Sequence, residues 1–327
     1  MKKRILIFGV DGFSGSHLWN YLKTVEKNEI VGTYNKKLDA FKKNTLKGCL
    51  LFQCDINDYS RIKEVLSKVS ADEIYFLCSV VTVARSFEMA PSIYETNVLG
   101  VSKFLEAVIK TSPRSKILLT GSAEEYGKVS PKDLPIRESQ SLAPVSPYGI
   151  SKMIQEKLVE RYRKNYQLRI NTTRTFHFSG PWQSNAFVVS DFASQIAQIE
   201  LGLRKPIIYV GNLKAKRDFS DIRDVVGAYY CIMKKANMGE AFNVCSGRSV
   251  AIEDILKRLL SKTNAKISVL KDPQKMRKLD IPDFCGDNRK LKRRTGWKPE
   301  ISLDQTLDDV LNWWQQYFKK KQKGNHG

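Results

Sequence analysis

The fold of this chain is decided by residues 4–15, which read RILIFGVDGFSG. The apolar beginning is typical of a buried strand, and the turn that follows carries Gly9, Gly12 and Gly15. Glycines between a strand and a helix let the pyrophosphate of a dinucleotide approach the helix N-terminus closely. We therefore assign these glycines and Phe13 to cofactor binding. The spacing departs from the Gly-x-Gly-x-x-Gly fingerprint, so a plain strand–turn–helix is the alternative.

The first 175 residues alternate strand and helix patterns, which predicts an α/β fold with a doubly wound parallel sheet of the Rossmann type. The predicted strands are Arg4–Phe8, Glu29–Tyr34, Leu50–Gln53, Ile74–Leu77, Lys116–Thr120 and Arg169–Arg174. The predicted helices are Ser16–Val25, Tyr59–Val69, Tyr94–Thr111 and Pro147–Lys164. The last helix should have Ser146 as its N-cap, because serine caps free amides and proline suits the first helical position.

After about residue 175 the alternation loosens. Helical patterns at Phe187–Leu201 and Ile252–Lys262 mix with short strands, which predicts a smaller α/β lobe, whereas Asp221–Lys235 and Phe242–Val244 are expected to return to the first part. We expect two domains. The dinucleotide-binding domain should comprise residues 1–175 and 212–244, and the nucleotide-sugar substrate domain residues 176–211 and 245–327.

Composition argues against a membrane-spanning, secreted, metal-binding or nucleic-acid-binding protein. The chain has 327 residues, 42% of them hydrophobic, so it can bury a large core. No apolar run is long enough for a membrane span or a signal peptide, so we expect a cytoplasmic protein. Six cysteines without a Cys-x-x-Cys pair and three histidines in all make a metal site unexpected. The net charge of +21 suits anionic ligands, but the lysines are dispersed and no nucleic-acid-binding motif accompanies them.

Tyr148 and Lys152 lie four positions apart on a predicted helix and so share one face. A tyrosine titrates at about 10 by itself, and a nearby ammonium and a positively charged nicotinamide would favour the phenolate. Tyr148 could then exchange a proton with a carbinol or carbonyl oxygen, which Ser122, at the end of the fifth strand, could also hydrogen-bond. A Tyr-x-x-x-Lys pair alone is common by chance. Its combination with Ser122 and the glycine turn indicates an oxidoreductase site.

Cofactor choice should depend on the residues after the second strand, where an acid would bind the ribose hydroxyls of NAD. This chain has Asn35, Lys36 and Lys37 there, which suits the 2′-phosphate of NADP, although the lysines could also be merely solvent-exposed. We favour NADP(H), assign Asn35 and Lys36 to it, and keep NAD(H) as the alternative. Asp55 and Ile56, after the third strand, are assigned to the adenine, with helix capping as the alternative for Asp55.

Six further runs carry more specific signals. They are GSAEEYG at 121–127, SPYGISK at 146–152, RTF at 174–176, RDFSD at 217–221, NVCSG at 243–247 and TGWKP at 295–299. These runs resemble the extended short-chain dehydrogenase/reductase family along nearly the whole chain. Within it they are most similar to the GDP-4-keto-6-deoxy-D-mannose reductases, which make GDP-rhamnose, and next to the GDP-mannose 4,6-dehydratases.

The resemblance implies substrate-binding roles for Ser86, His177, Arg217 and Arg277. The two arginines are similar to those that grip a sugar-nucleotide pyrophosphate, and guanidinium groups bind such oxygens in pairs. Surface salt bridges are the alternative for both arginines. His177 stands where the family usually has asparagine, and it could be a ligand contact or only a packed residue.

Two further departures from the family pattern lie where the sugar is expected. FLCS at 76–79 stands in place of His-Leu-Ala-Ala, and GPWQ at 180–183 stands in place of Gly-Pro-Gly-Gln. These departures and His177 leave the expected fold unchanged. They leave open the identity of the sugar, including whether it is a hexose or a heptose.

The resemblance implies an NADPH-dependent reductase that acts on C4 of a nucleotide-activated, GDP-linked 4-keto-6-deoxy sugar. Tyr148 would supply the proton, Lys152 would lower the tyrosine pKa and touch the nicotinamide ribose, and Ser122 would orient the carbonyl. Oxidation of a C4 hydroxyl would use the same residues. In similar proteins the helices that correspond to Tyr94–Thr111 and Pro147–Lys164 pair across a two-fold axis. The resemblance therefore implies a homodimer.

A 4,6-dehydratase is the first rival. Similar dehydratases carry Thr-Asp-Glu or Thr-Ser-Glu, whereas this chain has Ser122, Ala123 and Glu124, and an alanine cannot donate a proton. Glu124 is retained and is assigned to the catalytic group. A second rival, a dinucleotide-binding partner or redox sensor without catalysis, is disfavoured because Ser122, Tyr148 and Lys152 are all present.

Overall fold

A computed structural model gives the structure of residues 2–82, 85–276 and 281–324. Its strands are β1 (Arg4–Phe8), β2 (Glu29–Tyr34), β3 (Leu50–Gln53), β4 (Glu73–Phe76), β5 (Lys116–Ser122), β6 (Arg169–Thr175), β7 (His177–Ser179), β8 (Ile207–Val210), β9 (Lys216–Asp221), β10 (Ala241–Val244), β11 (Ser249–Ala251), β12 (Ser268–Lys271) and β13 (Asp283–Phe284). Its α-helices are α1 (Phe13–Val25), α2 (Ala40–Thr45), α3 (Tyr59–Val69), α4 (Ala90–Tyr94), α5 (Val101–Thr111), α6 (Pro147–Tyr166), α7 (Val188–Glu200), α8 (Ile222–Lys235), α9 (Ile252–Leu260), α10 (Arg289–Thr295) and α11 (Leu303–Gly324).

Seven parallel strands form the main sheet in the order β3–β2–β1–β4–β5–β6–β10. The chain therefore winds outwards from β1 in both directions, which confirms the predicted doubly wound α/β fold. The direction reverses between β1 and β4. Open sheets of this kind bind ligands outside the carboxyl ends of the strands at such a reversal.

The residues of β1 alternate between two apolar clusters. Ile5 and Ile7 pack on the side of α1 and α8, whereas Leu6 and Phe8 pack on the side of α3 and α5. All four are at most 1% exposed. A strand covered by helices on both faces reads as a continuous apolar run, which is why residues 4–8 carry no polar alternation.

Smaller sheets complete the fold. Strand β9 pairs with β7, β11 and β13, and β8 pairs with β12. Helices α7, α9 and α11 bury a separate apolar cluster that includes Phe192, Ile255 and Leu307. Strand β10 joins the main sheet beside β6, although about 65 residues separate them in the sequence. The domain boundaries given above stay a prediction.

The predicted single helix Tyr94–Thr111 is wrong in its first part. The structure has α4 from Ala90, with Pro91 in its first turn, then a π-helical segment over Glu95–Gly100, and then α5. A π-helical segment widens the helix locally and is frequent at functional sites. Its buried Asn97 has a role in the site described below.

Other predicted boundaries agree closely with the structure. Helix α6 begins at Pro147, and the Ser146 side chain accepts a hydrogen bond from the Gly149 amide at 3.0 Å, so the predicted cap is confirmed. Helix α1 begins at Phe13, three residues before the predicted start. Within the described residues no helix is both long and apolar enough to cross a membrane. The cytoplasmic location stays a prediction.

Candidate active site

The glycine turn has the geometry of a dinucleotide cradle. Gly9 has φ +81°, a left-handed conformation that glycine adopts at little cost, and its carbonyl accepts the Gly12 amide at 3.1 Å. A Cβ on Gly15 would lie 2.1 Å from the Gly9 carbonyl oxygen, so only glycine lets α1 pack this close to the turn. Gly12 caps α1 without a side chain, and the first helical turn has no acid. An anionic pyrophosphate therefore fits here.

The residues assigned to the adenosine end meet at one edge of the sheet. Tyr34 of β2 pairs with Gln53 of β3, so the segments after these strands are neighbours. Asn35 and Lys36 are exposed there, as is Lys37. The Gln53 side-chain amide donates to the Asn35 carbonyl at 3.1 Å. The two lysines are thus accessible to an anionic ligand.

Asp55 is exposed and its carboxylate accepts the Asn57 amide at 2.8 Å, whereas Asp58 caps α3 by accepting the Arg61 amide. Capping of α3 by Asp55, the alternative considered from the sequence, is therefore excluded. Ile56 is 5% exposed.

Sequence reasoning missed Asp11, which lies in the glycine turn. Burial raises the pKa of its carboxyl, while the charge of Lys42 and the backbone of Asn35 lower it in part. An acid therefore does face the segment after β2, although it comes from the turn after β1. Only the folded chain brings Asp11 and Asn35 together.

Ser122, Tyr148 and Lys152 converge at the carboxyl edge of β5. The Tyr148 hydroxyl and the Ser122 side chain share a hydrogen bond. The Lys152 ammonium donates to the carbonyl of Thr120 at 3.0 Å. The side chains of Ser122, Tyr148 and Lys152 are buried, with Tyr148 5% and Lys152 2% exposed. This arrangement can hold one oxygen atom of a ligand between two hydroxyl groups.

The pKa shifts of Tyr148 and Lys152 differ from those expected from the sequence. Burial is the largest effect on Tyr148 and raises its pKa well above the ordinary value, and the nearby charges of Glu124 and Glu125 act in the same direction. Burial also lowers the pKa of Lys152 to about 8. The expectation that Tyr148 is shifted towards the phenolate is therefore wrong for the protein alone. The buried phenol keeps its proton at neutral pH.

Glu124 lies beside this group at the start of a 3₁₀ turn over Ala123–Tyr126. Its amide donates to the Ser122 hydroxyl at 3.2 Å, and its side chain is partly buried. Ala123 is 2% exposed and belongs to an apolar cluster with Phe176 and Phe284. A polar side chain at position 123 would have to displace that packing.

Asn97 is a second residue that sequence reasoning missed. It is fully buried in the π-helical segment. Its carboxamide accepts the Val80 amide at 2.8 Å and donates to the Val80 carbonyl at 3.1 Å and to Ser151 at 3.0 Å. Ser151 in turn donates to the Tyr148 carbonyl at 2.7 Å. Asn97 thus joins the loop after β4 to the helix that carries the proposed catalytic pair.

Two of the predicted substrate residues lie in the strands of the smaller sheet. Arg217, in β9, is 6% exposed and donates to the carbonyls of Lys216 and Ile281 at 2.8 and 2.6 Å. His177, in β7, packs against the rings of Phe219 and Phe284 at centroid distances of 5.6 and 6.4 Å.

Two further substrate candidates were proposed from the resemblance. Ser86 is fully buried in the loop before α4, and Arg277 lies outside the described residues. Over residues 2–82, 85–276 and 281–324, no group of three or more His, Cys, Asp or Glu side chains could hold a metal ion.

Trp182, which replaces a glycine of the family pattern, has φ +77°. Its ring stacks on His17 at 4.3 Å and approaches Phe41 at 5.8 Å. His17 also hydrogen-bonds the Pro181 carbonyl at 2.9 Å, and burial lowers the His17 pKa to about 4. The Trp182 side chain therefore packs against α1 and α2.

The chain matches one family profile, described as GDP-mannose 4,6 dehydratase, over residues 6–310, and it belongs to that family. It is accordingly an extended short-chain dehydrogenase/reductase, an NAD(P)-dependent enzyme that acts on nucleotide sugars. The family resemblance inferred from the sequence is thereby confirmed.

Two relatives and one solved structure show how similar the chain is to known members. It is 27% identical to the GDP-6-deoxy-D-mannose reductase of Pseudomonas aeruginosa, over 98% of this chain and 100% of the relative. It is 26% identical to the human GDP-mannose 4,6 dehydratase, over 94% of this chain and 90% of the relative. The structure of RMD from Pseudomonas aeruginosa complexed with NADPH superposes with a TM-score of 0.85 at 26% identity, over 97% of this chain and all of that chain.

Proposed function

We propose that this enzyme reduces the C4 keto group of a GDP-linked 4-keto-6-deoxy sugar with NADPH. The observation that carries the proposal is the buried Tyr148 hydroxyl, which hydrogen-bonds Ser122 and is kept protonated by burial. A reductase needs a proton donor at this position. The similarity to a GDP-6-deoxy-D-mannose reductase and to a structure complexed with NADPH supports the substrate and the cofactor.

The residues present fit the proposed cofactor. Gly15 lets α1 pack against the turn, and the N-terminus of α1, capped by Gly12, has no acid in its first turn to repel a pyrophosphate. Lys36 and Lys37 are exposed at the adenosine end. When bound, NADPH supplies the hydride for the sugar C4.

Tyr148 and Ser122 would both hydrogen-bond the C4 oxygen, and Tyr148 would give it a proton as the charge on that oxygen grows. Lys152, held by the Thr120 carbonyl, would place a positive charge beside the tyrosinate that remains.

A GDP-mannose 4,6-dehydratase is the second candidate, and the human relative favours it. That reaction needs an acid for the departing C6 hydroxyl. Ala123 supplies none, and it packs in an apolar cluster. A C4 dehydrogenase working in the oxidising direction would use the same residues, with Tyr148 acting as the base.

Turnover assays separate these functions. We expect one NADPH consumed for each 4-keto substrate reduced and no dehydration of GDP-mannose. Glu124→Gln keeps the side-chain size but removes a base. A dehydratase should lose at least about 10² in rate from this change, and a reductase should lose less. Formation of a 4-keto-6-deoxy product from GDP-mannose without added NADPH would overturn the proposal in favour of the dehydratase.

NADPH should bind at least about tenfold more tightly than NADH, since one charge-assisted contact is worth about 1.5–3 kcal/mol. Lys36→Gln should reduce this preference without weakening NADH. Lys205→Gln, a substitution of another exposed lysine distant in sequence, serves as the control. Fluorescence titration measures both affinities. Equal or tighter binding of NADH to the unchanged protein would contradict the prediction, and Asp11 would then be the first residue to examine.

We also propose a homodimer formed through the helices that the resemblance indicates. Helices α5 and α6 are adjacent, and the Tyr162 hydroxyl of α6 donates to Glu106 of α5 at 2.6 Å. Leu99, in the π-helical segment before α5, is 56% exposed in the single chain. An exposed leucine of this kind is suited to contact the second subunit of a dimer. Light scattering at micromolar concentration should give twice the 37.4 kDa chain mass, and a monomer would refute the proposal. Leu99→Arg should shift the equilibrium towards the monomer.

A further inference from the structure

Trp182 lies in the segment between β7 and α7, and its ring reaches two helices that precede it by more than 130 residues. The indole stacks on His17 of α1 at a centroid distance of 4.3 Å, with the two ring planes 27° apart. It also meets Phe41 of α2 edge-on, at 5.8 Å and 73°. The rings of Trp182 and Phe41, called the aromatic bridge below, thus connect α1 with α2.

The backbone holds Trp182 in this position at a conformational cost. Its φ of +77° lies in the left-handed region, which tryptophan adopts far less readily than glycine. Both neighbours in the sequence are fixed. The Pro181 carbonyl is hydrogen-bonded to the His17 ring at 2.9 Å, and the buried Gln183 side chain accepts the Ser179 hydroxyl at 2.8 Å. A strained residue persists only where its surroundings hold it, and such residues are frequent at ligand sites.

The aromatic bridge lies between the two parts of the proposed cofactor site. His17 is one helical turn after Phe13 and packs against it at 5.1 Å, and Phe13 directly follows the Gly12 cap where the pyrophosphate is expected. Phe41 is in the first turn of α2, which begins three residues after Lys37. One end of the bridge is therefore beside the N-terminal part of α1, and the other end is beside the cations assigned to the adenosine phosphate.

The bridge has apolar surface that a ligand can cover. Phe41 is 47% exposed and the Trp182 side chain is half-buried. Burial raises the pKa of Asp11, and the charge of Lys42, the residue after Phe41, opposes this rise, so α2 also lies close to the glycine turn. Aromatic rings are favourable contacts for the sugar and base of a nucleotide. A nucleotide between the glycine turn and α2 would therefore bury this surface.

We propose that Trp182 and Phe41 are further cofactor-binding residues, and that the aromatic bridge retains the adenosine half of the bound dinucleotide. Contacts made within a formed complex act mainly on its dissociation rate, so the bridge should slow release of the cofactor. The family pattern has glycine at position 182, so the bridge comes from the tryptophan of this chain. The proposal concerns binding of the dinucleotide and does not depend on the reaction with a sugar.

Trp182→Gly tests the proposal directly, because glycine adopts a φ of +77° without strain and the change removes only the ring. Dissociation of NADPH should become about tenfold faster, which is the effect of one lost aromatic contact. Association should stay within about twofold of the unchanged protein. In a stopped-flow instrument, protein loaded with NADPH is mixed with excess NADP⁺, and the change in nicotinamide fluorescence measures release without any sugar substrate.

Two further variants separate the contributions of the rings. Trp182→Phe keeps an aromatic ring and the same backbone conformation, so dissociation should stay within about threefold of the unchanged protein. Phe41→Ala removes the second ring from an exposed position and should speed release about three- to fivefold. Because the two rings are in contact, the effects of Trp182→Gly and Phe41→Ala should not multiply in the double variant.

Tyr317→Ala is the matched control. Tyr317 of α11 is 43% exposed and also meets a tryptophan edge-on, Trp314, at 5.3 Å and 82°. Trp314 belongs to the separate apolar cluster of α7, α9 and α11, so NADPH release should be unchanged. The melting temperature of each ligand-free variant is measured in parallel, because a ring that only fixes its own segment alters stability without altering release.

A lower melting temperature of Trp182→Gly with an unchanged rate of NADPH release would overturn the proposal and leave Trp182 as a packing residue. Unchanged release with a raised KM for the nucleotide sugar would also overturn it, because Trp182 would then belong to the substrate site. Faster release from a protein that reduces no 4-keto sugar would support the bridge and refute the proposed function.

Two substitutes keep the test decisive. If the unchanged protein binds NADH and not NADPH, release of NADH is measured in the same way, and failure to bind either dinucleotide would overturn the proposal. If Trp182→Gly does not fold, Phe41→Ala decides in its place, since an exposed side chain can be shortened with little effect on folding. Release from Phe41→Ala at the rate of Tyr317→Ala would then contradict the proposed bridge.

Discussion

Tyr148→Phe should leave the fold and cofactor binding intact and should lower kcat by about 10²–10⁴-fold, the contribution of a general acid. Phenylalanine has nearly the shape of tyrosine, so the buried site stays filled. The substitution removes one hydrogen bond, to Ser122, which limits the loss of stability to about 0.5–1.5 kcal/mol. Single-turnover rates with a 4-keto nucleotide sugar measure the effect on the chemical step.

Tyr166→Phe is the matched control, because it removes a hydroxyl from the same helix, α6, at a residue that is 51% exposed. Its rate should equal that of the unchanged enzyme. Turnover of Tyr148→Phe within a few-fold of that rate, with the fold verified by circular dichroism, would refute the role of Tyr148 as proton donor.

Gly15→Ala should have the largest effect on the cofactor cradle. The new methyl group would lie 2.1 Å from the Gly9 carbonyl oxygen and 2.8 Å from the Val10 Cα, and both are backbone atoms that cannot rotate away. Helix α1 and the turn must separate, which costs about 1–3 kcal/mol or more. We expect a lower melting temperature and at least about tenfold weaker NADPH binding, since the helix N-terminus would leave its place beside the pyrophosphate.

Gly227→Ala is the control for this substitution. Gly227 is also helical, in α8, but its nearest neighbours to a new methyl group are side-chain atoms of Trp297 and Tyr21 at 3.9 Å, an ordinary contact. Alanine is favoured over glycine in a helix by about 0.8–1 kcal/mol, so stability should be unchanged or higher. A Gly15→Ala protein as stable as Gly227→Ala, with normal NADPH affinity, would show that the turn does not need glycine there.

Local patterns in the sequence predicted most of the main sheet. Strands β1, β2 and β3 have the predicted bounds, because short apolar runs between turn residues depend on neighbours only a few positions away. The cap of α6 was predictable for the same reason, since Ser146 and the Gly149 amide are three residues apart. The π-helical segment was not, because it depends on how Asn97 reaches Val80 and Ser151 from elsewhere in the chain.

The sequence by itself determined the fold class, the glycine turn and the group of Ser122, Tyr148 and Lys152, because residue type and spacing are enough to place these on a strand end and one helix face. Only the tertiary structure decided their protonation. Burial by distant strands and helices raises the pKa of Tyr148 and lowers the pKa of Lys152. The fold also brings Asp11 next to Asn35. The desolvation of a charged group depends on all the residues that pack against it, and the spacing of residues in the sequence does not reveal them.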